Sequence, residues 1–116
     1  MPVNEAGLVL AIVKAVKKKY PTAWILKVHG SPYQTAGVPD LLCGVDGLLV
    51  GLEVKFIHPN ESRDHAIGRT TALQRVQITQ INAAGGAAGT VTSAAEALDL
   101  IGRGLDRYNQ RGKEQG

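Results

Sequence analysis

Three residues carry the chemistry this sequence can do. Asp40 closes the run Gly37-Val38-Pro39-Asp40, and Glu53 and Lys55 stand in Glu53-Val54-Lys55. Between them lies a hairpin signal: Leu41-Leu42-Cys43-Gly44-Val45, then Asp46-Gly47, then an apolar run from Leu48. Asp-Gly suits a type I′ turn, which needs positive φ at both central residues. With Asp46 and Gly47 as the turn, Val45 faces Leu48, and the register carried outward sets Asp40 opposite Glu53. Directly opposed residues hold their Cβ atoms about 4.5–5.5 Å apart. Strand alternation puts Glu53 and Lys55 on one face and Leu48, Val50, Leu52 and Val54 on the other. Two carboxylates and an ammonium therefore converge over an apolar layer.

Opposed like charges are destabilising, and Lys55 offsets only part of the pair. A divalent cation resolves the conflict. Hard cations such as Mg²⁺ take oxygen ligands, commonly one or two carboxylates together with substrate phosphates. A lysine beside such an ion can position or deprotonate a water for attack on phosphorus. The bland alternative is a surface hairpin in which Lys55 simply pairs with Glu53.

The elements that must hold these residues follow from pattern. At 116 residues the chain has room for one domain with one core, and its net charge of +3 is compatible with an anionic partner. The single cysteine, Cys43, excludes an internal disulfide, and its parity puts it on the face away from Asp40, as a buried thiol. No apolar run is long enough to span a membrane and no signal-peptide pattern opens the chain, so a cytoplasmic location is expected. Residues 2–19 read as a helix with Asn4 as N-cap and a stripe of Leu8, Val9, Ile12, Val13 and Val16. Glu5, at the edge of that stripe, either complements the helix dipole or adds a third carboxylate to the site. The lysines at 14, 17, 18 and 19 form a solvated helix end that could also touch phosphates.

Residues 24–29 read as the first strand, with Ile25, Lys27 and His29 on one face. The turn-rich loop 30–37, containing Tyr33 and Gln34, leads into Pro39-Asp40 and is placed for substrate contacts. His29 lacks the Cys/His cluster a zinc site needs. Residues 56–70 read as a mobile loop whose Arg63, Arg69, His58 and His65 suggest a phosphate-bearing substrate. Thr70 or Thr71 caps a helix to about residue 84, with Gln74 in its first turn, free to point back toward the hairpin. Gly85-Gly86 ends it, a strand spans 88–92, and Ser93 with Glu96 opens a last helix with a capping box. Residues 1–107 form the domain; the polar stretch 108–116 is expected to fray. The order helix, strand, strand, strand, helix, strand, helix gives a single α/β domain with a mixed sheet flanked by helices.

Pro39-Asp40 followed by Glu53-Val54-Lys55 resembles the PD-(D/E)xK nuclease signature, and more narrowly that of the VRR-NUC (virus-type replication-repair nuclease) domain. His29-Gly30, Tyr33-Gln34, Gly37-Val38-Pro39-Asp40-Leu41-Leu42, Thr71-Ala72-Leu73-Gln74, Gly85-Gly86 and Ser93-Ala94-Ala95-Glu96-Ala97-Leu98 extend the likeness over roughly residues 5–101. The resemblance implies metal-dependent hydrolysis of DNA phosphodiesters. It assigns Mg²⁺ or Mn²⁺ to Asp40 and Glu53, with the Val54 carbonyl and Glu5 as further ligands. It makes Lys55 the residue that orients the attacking water, and Gln74 the residue that orients water or Lys55. Lys27, His29, Tyr33, Gln34, Arg63 and Arg69 become candidate DNA contacts. The long segment between Lys55 and Thr71 departs from shorter relatives. Stand-alone members imply a phage or bacterial protein that dimerises and cuts branched DNA, similar to a Holliday junction resolvase. Flap cleavage, nicking, less selective cleavage, or DNA binding without turnover are the alternatives.

Overall fold

The computed structural model describes residues 2–29 and 35–115, the last two by backbone alone. Its order is α1 (Glu5–Lys19), β1 (Trp24–Lys27), β2 (Leu41–Val45), β3 (Leu48–Val54), α2 (Arg63–Gly68), α3 (Ala72–Ala83), β4 (Ala87–Val91) and α4 (Ala94–Gln115). The sheet order is β1-β2-β3-β4; the first three strands form an antiparallel meander and β4 joins β3 in parallel. The mixed α/β sheet flanked by helices is thus as expected.

The hairpin takes the register that the Asp-Gly turn dictates. Val45 faces Leu48 and Leu41 faces Leu52. Asp46 and Gly47 both have positive φ, 49° and 88°, as a type I′ turn demands. The apolar parity of both strands points one way. Leu41, Cys43, Val45, Leu48, Val50, Leu52 and Val54 join Leu8, Ile12 and Val16 of α1 and Ala97 and Ile101 of α4 in one core. Each fully buried aliphatic side chain there contributes about 1.5–3 kcal/mol. Burial also pushes the Cys43 thiol up to about 11, so it is an inert core residue.

α3 lies on the opposite face. Ile81 comes over Gly51 of β3 so closely that a Cβ there would sit 2.9 Å from its Cδ1 and 3.1 Å from Pro39 Cγ. Helix starts follow their caps. Asn4 Oδ1 accepts from Gly7 N–H, and Thr71 and Gln74 form a reciprocal capping box. Ser93 Oγ accepts from Glu96 N–H, while the Glu96 carboxylate turns to Thr92 N–H instead of completing the box on Ser93.

Two expectations need correction. Residues 56–70 are an ordered segment that contains α2, capped by Ser62. Glu61 organises it, accepting from His58 N–H, from the Arg69 guanidinium at 2.9 and 3.0 Å, and pairing with His65 Nδ1 at 2.6 Å. Nor does the chain fray at 108: α4 runs to Gln115. Tyr108 packs over the Gly47 turn and Arg111 donates to the Gly85 carbonyl at 2.7 Å, so the last turns are anchored to two loops. Among the described residues, no helix is long and apolar enough to cross a membrane.

The topology sends all three long helices the same way. β3 ends at Val54 beside Val91 of β4, and α4 starts three residues later. α3 starts just after Thr70, whose hydroxyl bonds Thr90 of β4 at 2.8 Å. α1 starts with Glu5, whose charge is felt at Glu53. The N-termini of α1, α3 and α4 therefore gather at the end of the sheet where Asp40 and Glu53 lie. Each carries about half a positive charge.

Candidate active site

Glu53 is 1% exposed, and neither of its carboxylate oxygens has a hydrogen-bond donor. That is a costly place for an ionised acid. Leu52 and Val54 flank it in sequence but point into the core; Glu53 points the other way, to the side where Gly51 and α3 meet. The next step outward from the Leu41–Leu52 pair is Asp40, and the two carboxyls face one another as the register predicts. Asp40 is fixed in turn: its Oδ2 accepts from Val54 N–H at 2.8 Å, and its carbonyl accepts from Val28 N–H at 2.8 Å.

Burial, then the hydrogen bond to Asp40 and the Asp40 charge, raise the Glu53 pKa to about 8. Lys55 pulls it down and Glu5 adds a smaller upward push. With both acids ionised there is no proton between them and the Glu53 oxygens stay without a donor. A proton on Glu53 bridges the pair, and a cation there would do the same work with greater charge.

Val54 contributes its backbone. In a strand, the N–H and C=O of one residue leave toward the same neighbour. Because Val54 N–H meets Asp40, its carbonyl also leaves β3 on the Asp40 side. Asp40, Glu53 and the Val54 carbonyl thus present three oxygens to one region, a donor set suited to a hard cation that keeps waters and takes substrate oxygens. No group of three His, Cys, Asp or Glu side chains able to share an ion occurs among the described residues. Glu5 is exposed in the first turn of α1 and acts on Glu53 through its charge.

The approach of the Asp40 loop depends on glycine. Gly37 has φ +84°, and a Cβ there would run into the Leu73 carbonyl at the start of α3. Gln74, on the same turn, gives its Oε1 to Thr71 N–H at 2.8 Å, which leaves its amide nitrogen for the site. Lys27 and His29 are exposed at the β1 end beside Asp40. Tyr33 and Gln34 lie outside the described residues.

The two arginines are engaged within the chain. Arg63 pairs with Glu96 at the start of α4. Arg69 pairs with Glu61 and also donates to the Phe56 carbonyl at 2.6 Å. Sequence reading missed Glu61, the hub that fixes this wall of the site. Its one local signal was the four-residue spacing to His65 beside the Ser62 cap. A concavity of about 490 Å³ exists at the far end, between Gly47, Gly85 and Tyr108. It is remote from the carboxylates, which sit at the end of the sheet.

Comparison with solved structures adds one finding. The chain superimposes on a structure described as a VRR_NUC domain with a TM-score of 0.51, over 78% of this chain and 89% of that one, at 19% identity. This is the VRR-NUC fold. At that identity the sequences have diverged widely, yet the helix and strand order is shared. No family model matches the sequence, and no curated protein matches it. Within the VRR-NUC fold seen here, the Pro39-Asp40 and Glu53-Val54-Lys55 motifs occupy adjoining strand ends.

Proposed function

We propose that this protein is a divalent-metal-dependent endodeoxyribonuclease that hydrolyses phosphodiester bonds and selects branched DNA, in the manner of a Holliday junction resolvase. The observation that carries the reading is Glu53: a buried acid with two orphaned oxygens, facing a second acid held by the backbone. Such a pair is unstable as a structural element and useful as a cation seat.

Asp40, Glu53 and the Val54 carbonyl would hold Mg²⁺ or Mn²⁺, with Glu5 adding negative charge nearby. When bound, such an ion polarises the phosphoryl oxygens and makes water more acidic. Lys55, next along β3 from that carbonyl, orients the attacking water and stabilises charge developing on the phosphate. The Gln74 amide nitrogen supports that water or Lys55. Lys27 and His29, with Tyr33 and Gln34 of the following loop, contact the DNA backbone. The helix N-termini favour phosphate at the same end. Arg63 and Arg69 contribute through the wall they brace. One site per chain cuts one strand, so symmetric cleavage of a junction calls for a C₂ homodimer. The resemblance supports a cytoplasmic setting in a bacterium or an infected host.

The test is cleavage of a four-way junction, a flap and a plain duplex with Mg²⁺ or Mn²⁺, beside Asp40→Ala and Lys55→Ala. Paired symmetric nicks in the junction, absent in both variants, are expected. Cleavage of flaps or duplex in preference to the junction would overturn the selectivity. Binding without any cleavage would overturn the enzyme.

A further inference from the structure

α1 and α4 cover one face of the sheet; the other face is half bare. Trp24 pairs with Gly44 and Gly44 with Leu49, so Trp24 and Leu49 stand in one row across a residue that has no side chain. Leu26 and Leu42 form the next row. By parity all four point away from the α1–α4 core. α3 borders this surface without burying any residue of its own. Its Asn82 reaches the Ala88 backbone and its Arg75 the Thr70 carbonyl, so that flank looks toward β4. Helical spacing turns Leu73 to the opposite flank, over β2 and β1, with Val76 on the shoulder. Trp24, Leu26, Leu49, Leu73 and Val76 are each between 45% and 59% exposed.

We infer that this face, the Trp24–Leu49 rows together with Leu73 and Val76 of α3, is where a second copy of the chain docks, sheet face to sheet face, about a two-fold axis parallel to the strands. The inference deepens the dimeric reading above by naming its surface. Area supports it: the patch exposes on the order of 500 Å² of apolar surface, near the upper end for a monomer. A standard interface takes about 800 Å² from each partner, a little over half of it apolar, so the patch supplies the apolar share of one interface. Geometry supports the axis. Rotation about a line parallel to the strands keeps both Asp40–Glu53 ends at the same end of the dimer, where one branched substrate can meet both. Antiparallel pairing of two β1 edges would send the two sites to opposite ends.

Trp24 is the chain's one tryptophan, so its emission reports the face directly. The test is sedimentation of the full chain over roughly a thousandfold concentration range, with Trp24 fluorescence read on the same samples. A dimer is expected, with Trp24 emission shifting to the blue as it forms. Leu73→Glu, which buries an unpaired carboxylate in the interface, is expected to weaken association roughly 100-fold or more and return the red emission. Leu10→Glu, an equally exposed position on α1, is expected to leave the dimer intact. Circular dichroism of both variants checks the fold, and Leu49→Lys repeats the perturbation from the sheet side. A monomer with red emission throughout would overturn the inference, as would a dimer indifferent to both Leu73→Glu and Leu49→Lys. Trp24 shielded only when DNA is added would give the face to nucleic acid and overturn it equally. None of these readouts uses cleavage, so failure of the nuclease reading would show in the junction assay and leave this result standing.

Discussion

Replacing Glu53 with glutamine should make the metal-free protein more stable. The folded-state pKa of Glu53 is raised from 4.5 to about 8. Between those values the folded chain holds a proton that the unfolded chain has released, so stability falls as pH rises and the whole cost is present above about pH 8. At about 1.4 kcal/mol per tenfold change in acidity, the cost is on the order of 4 kcal/mol, an upper limit because the pair relaxes and Asp40 shares the proton. A glutamine in the same place carries no charge, and its amide can donate to Asp40. Urea unfolding in EDTA at about pH 5, 7 and 9 measures the effect. The parent should lose stability across that range, and Glu53→Gln should be nearly flat and exceed it by a few kcal/mol at the alkaline end. Mg²⁺ or Mn²⁺ at about 100 times its dissociation constant should return roughly 2.7 kcal/mol to the parent and nothing to the variant. A parent with no pH slope in EDTA, or a variant less stable than the parent near pH 9, would refute the claim that Glu53 is an uncompensated buried acid.

Lys55→Ala should lower kcat on the preferred DNA by about 10²–10³ with little change in binding, read by single-turnover cleavage beside a binding titration. Gly37→Ala forces a Cβ onto the Leu73 carbonyl at positive φ; it should cost about 1–3 kcal/mol in urea unfolding and weaken Mn²⁺ binding, because the loop carries Asp40. Arg69, His58 and His65 hold the Glu61 carboxyl far below its usual range, so Glu61→Gln should speed hydrogen exchange across residues 56–70. The stability Glu61 contributes is present above about pH 4.5 and lost as pH falls further. Lys27→Ala should reduce the salt dependence of DNA binding by about one phosphate contact, while Arg63→Ala should leave that slope unchanged and loosen α2 from α4.

The parts of the fold legible in the sequence are those set by neighbours in the chain. Asp46-Gly47 fixes the turn, the turn fixes the register, and the register puts Asp40 against Glu53. Asn4, Thr71 and Ser93 are caps whose partners lie three residues on. What was not legible depends on contacts distant in sequence. α2 has no apolar stripe; its segment is ordered because Arg69 reaches back to Phe56 and Glu61, and Arg63 reaches forward to Glu96. The C-terminal turns look polar and unstructured, yet Tyr108 and Arg111 find Gly47 and Gly85. The same blindness made Arg63 and Arg69 look available for phosphate, because a cation's local sequence does not reveal the carboxylate that will hold it. Leu73 and Val76 were read as a buried stripe for a related reason: periodicity says that a helix has an apolar side, not that the fold supplies anything to cover it.

The pairing of those arginines changes how the site must attract DNA. The active end holds Glu5, Asp40, Glu53, Glu61 and Glu96, and its nearest arginines are already matched to two of these acids. A net charge of +3 therefore does not translate into a basic mouth. The attraction left at that end comes from Lys27 and Lys55 and from the three helix N-termini, whose partial charges are fixed in the backbone and cannot be titrated or neutralised by a neighbouring acid. Backbone dipoles fall off within a turn, so they discriminate by position: a phosphate is favoured only where it approaches the strand ends carrying Asp40 and Glu53. A mouth lined with free arginines would hold duplex DNA anywhere along it. This one gains affinity chiefly when a backbone is presented to the end of the sheet, which suits a substrate chosen by shape more than by sequence.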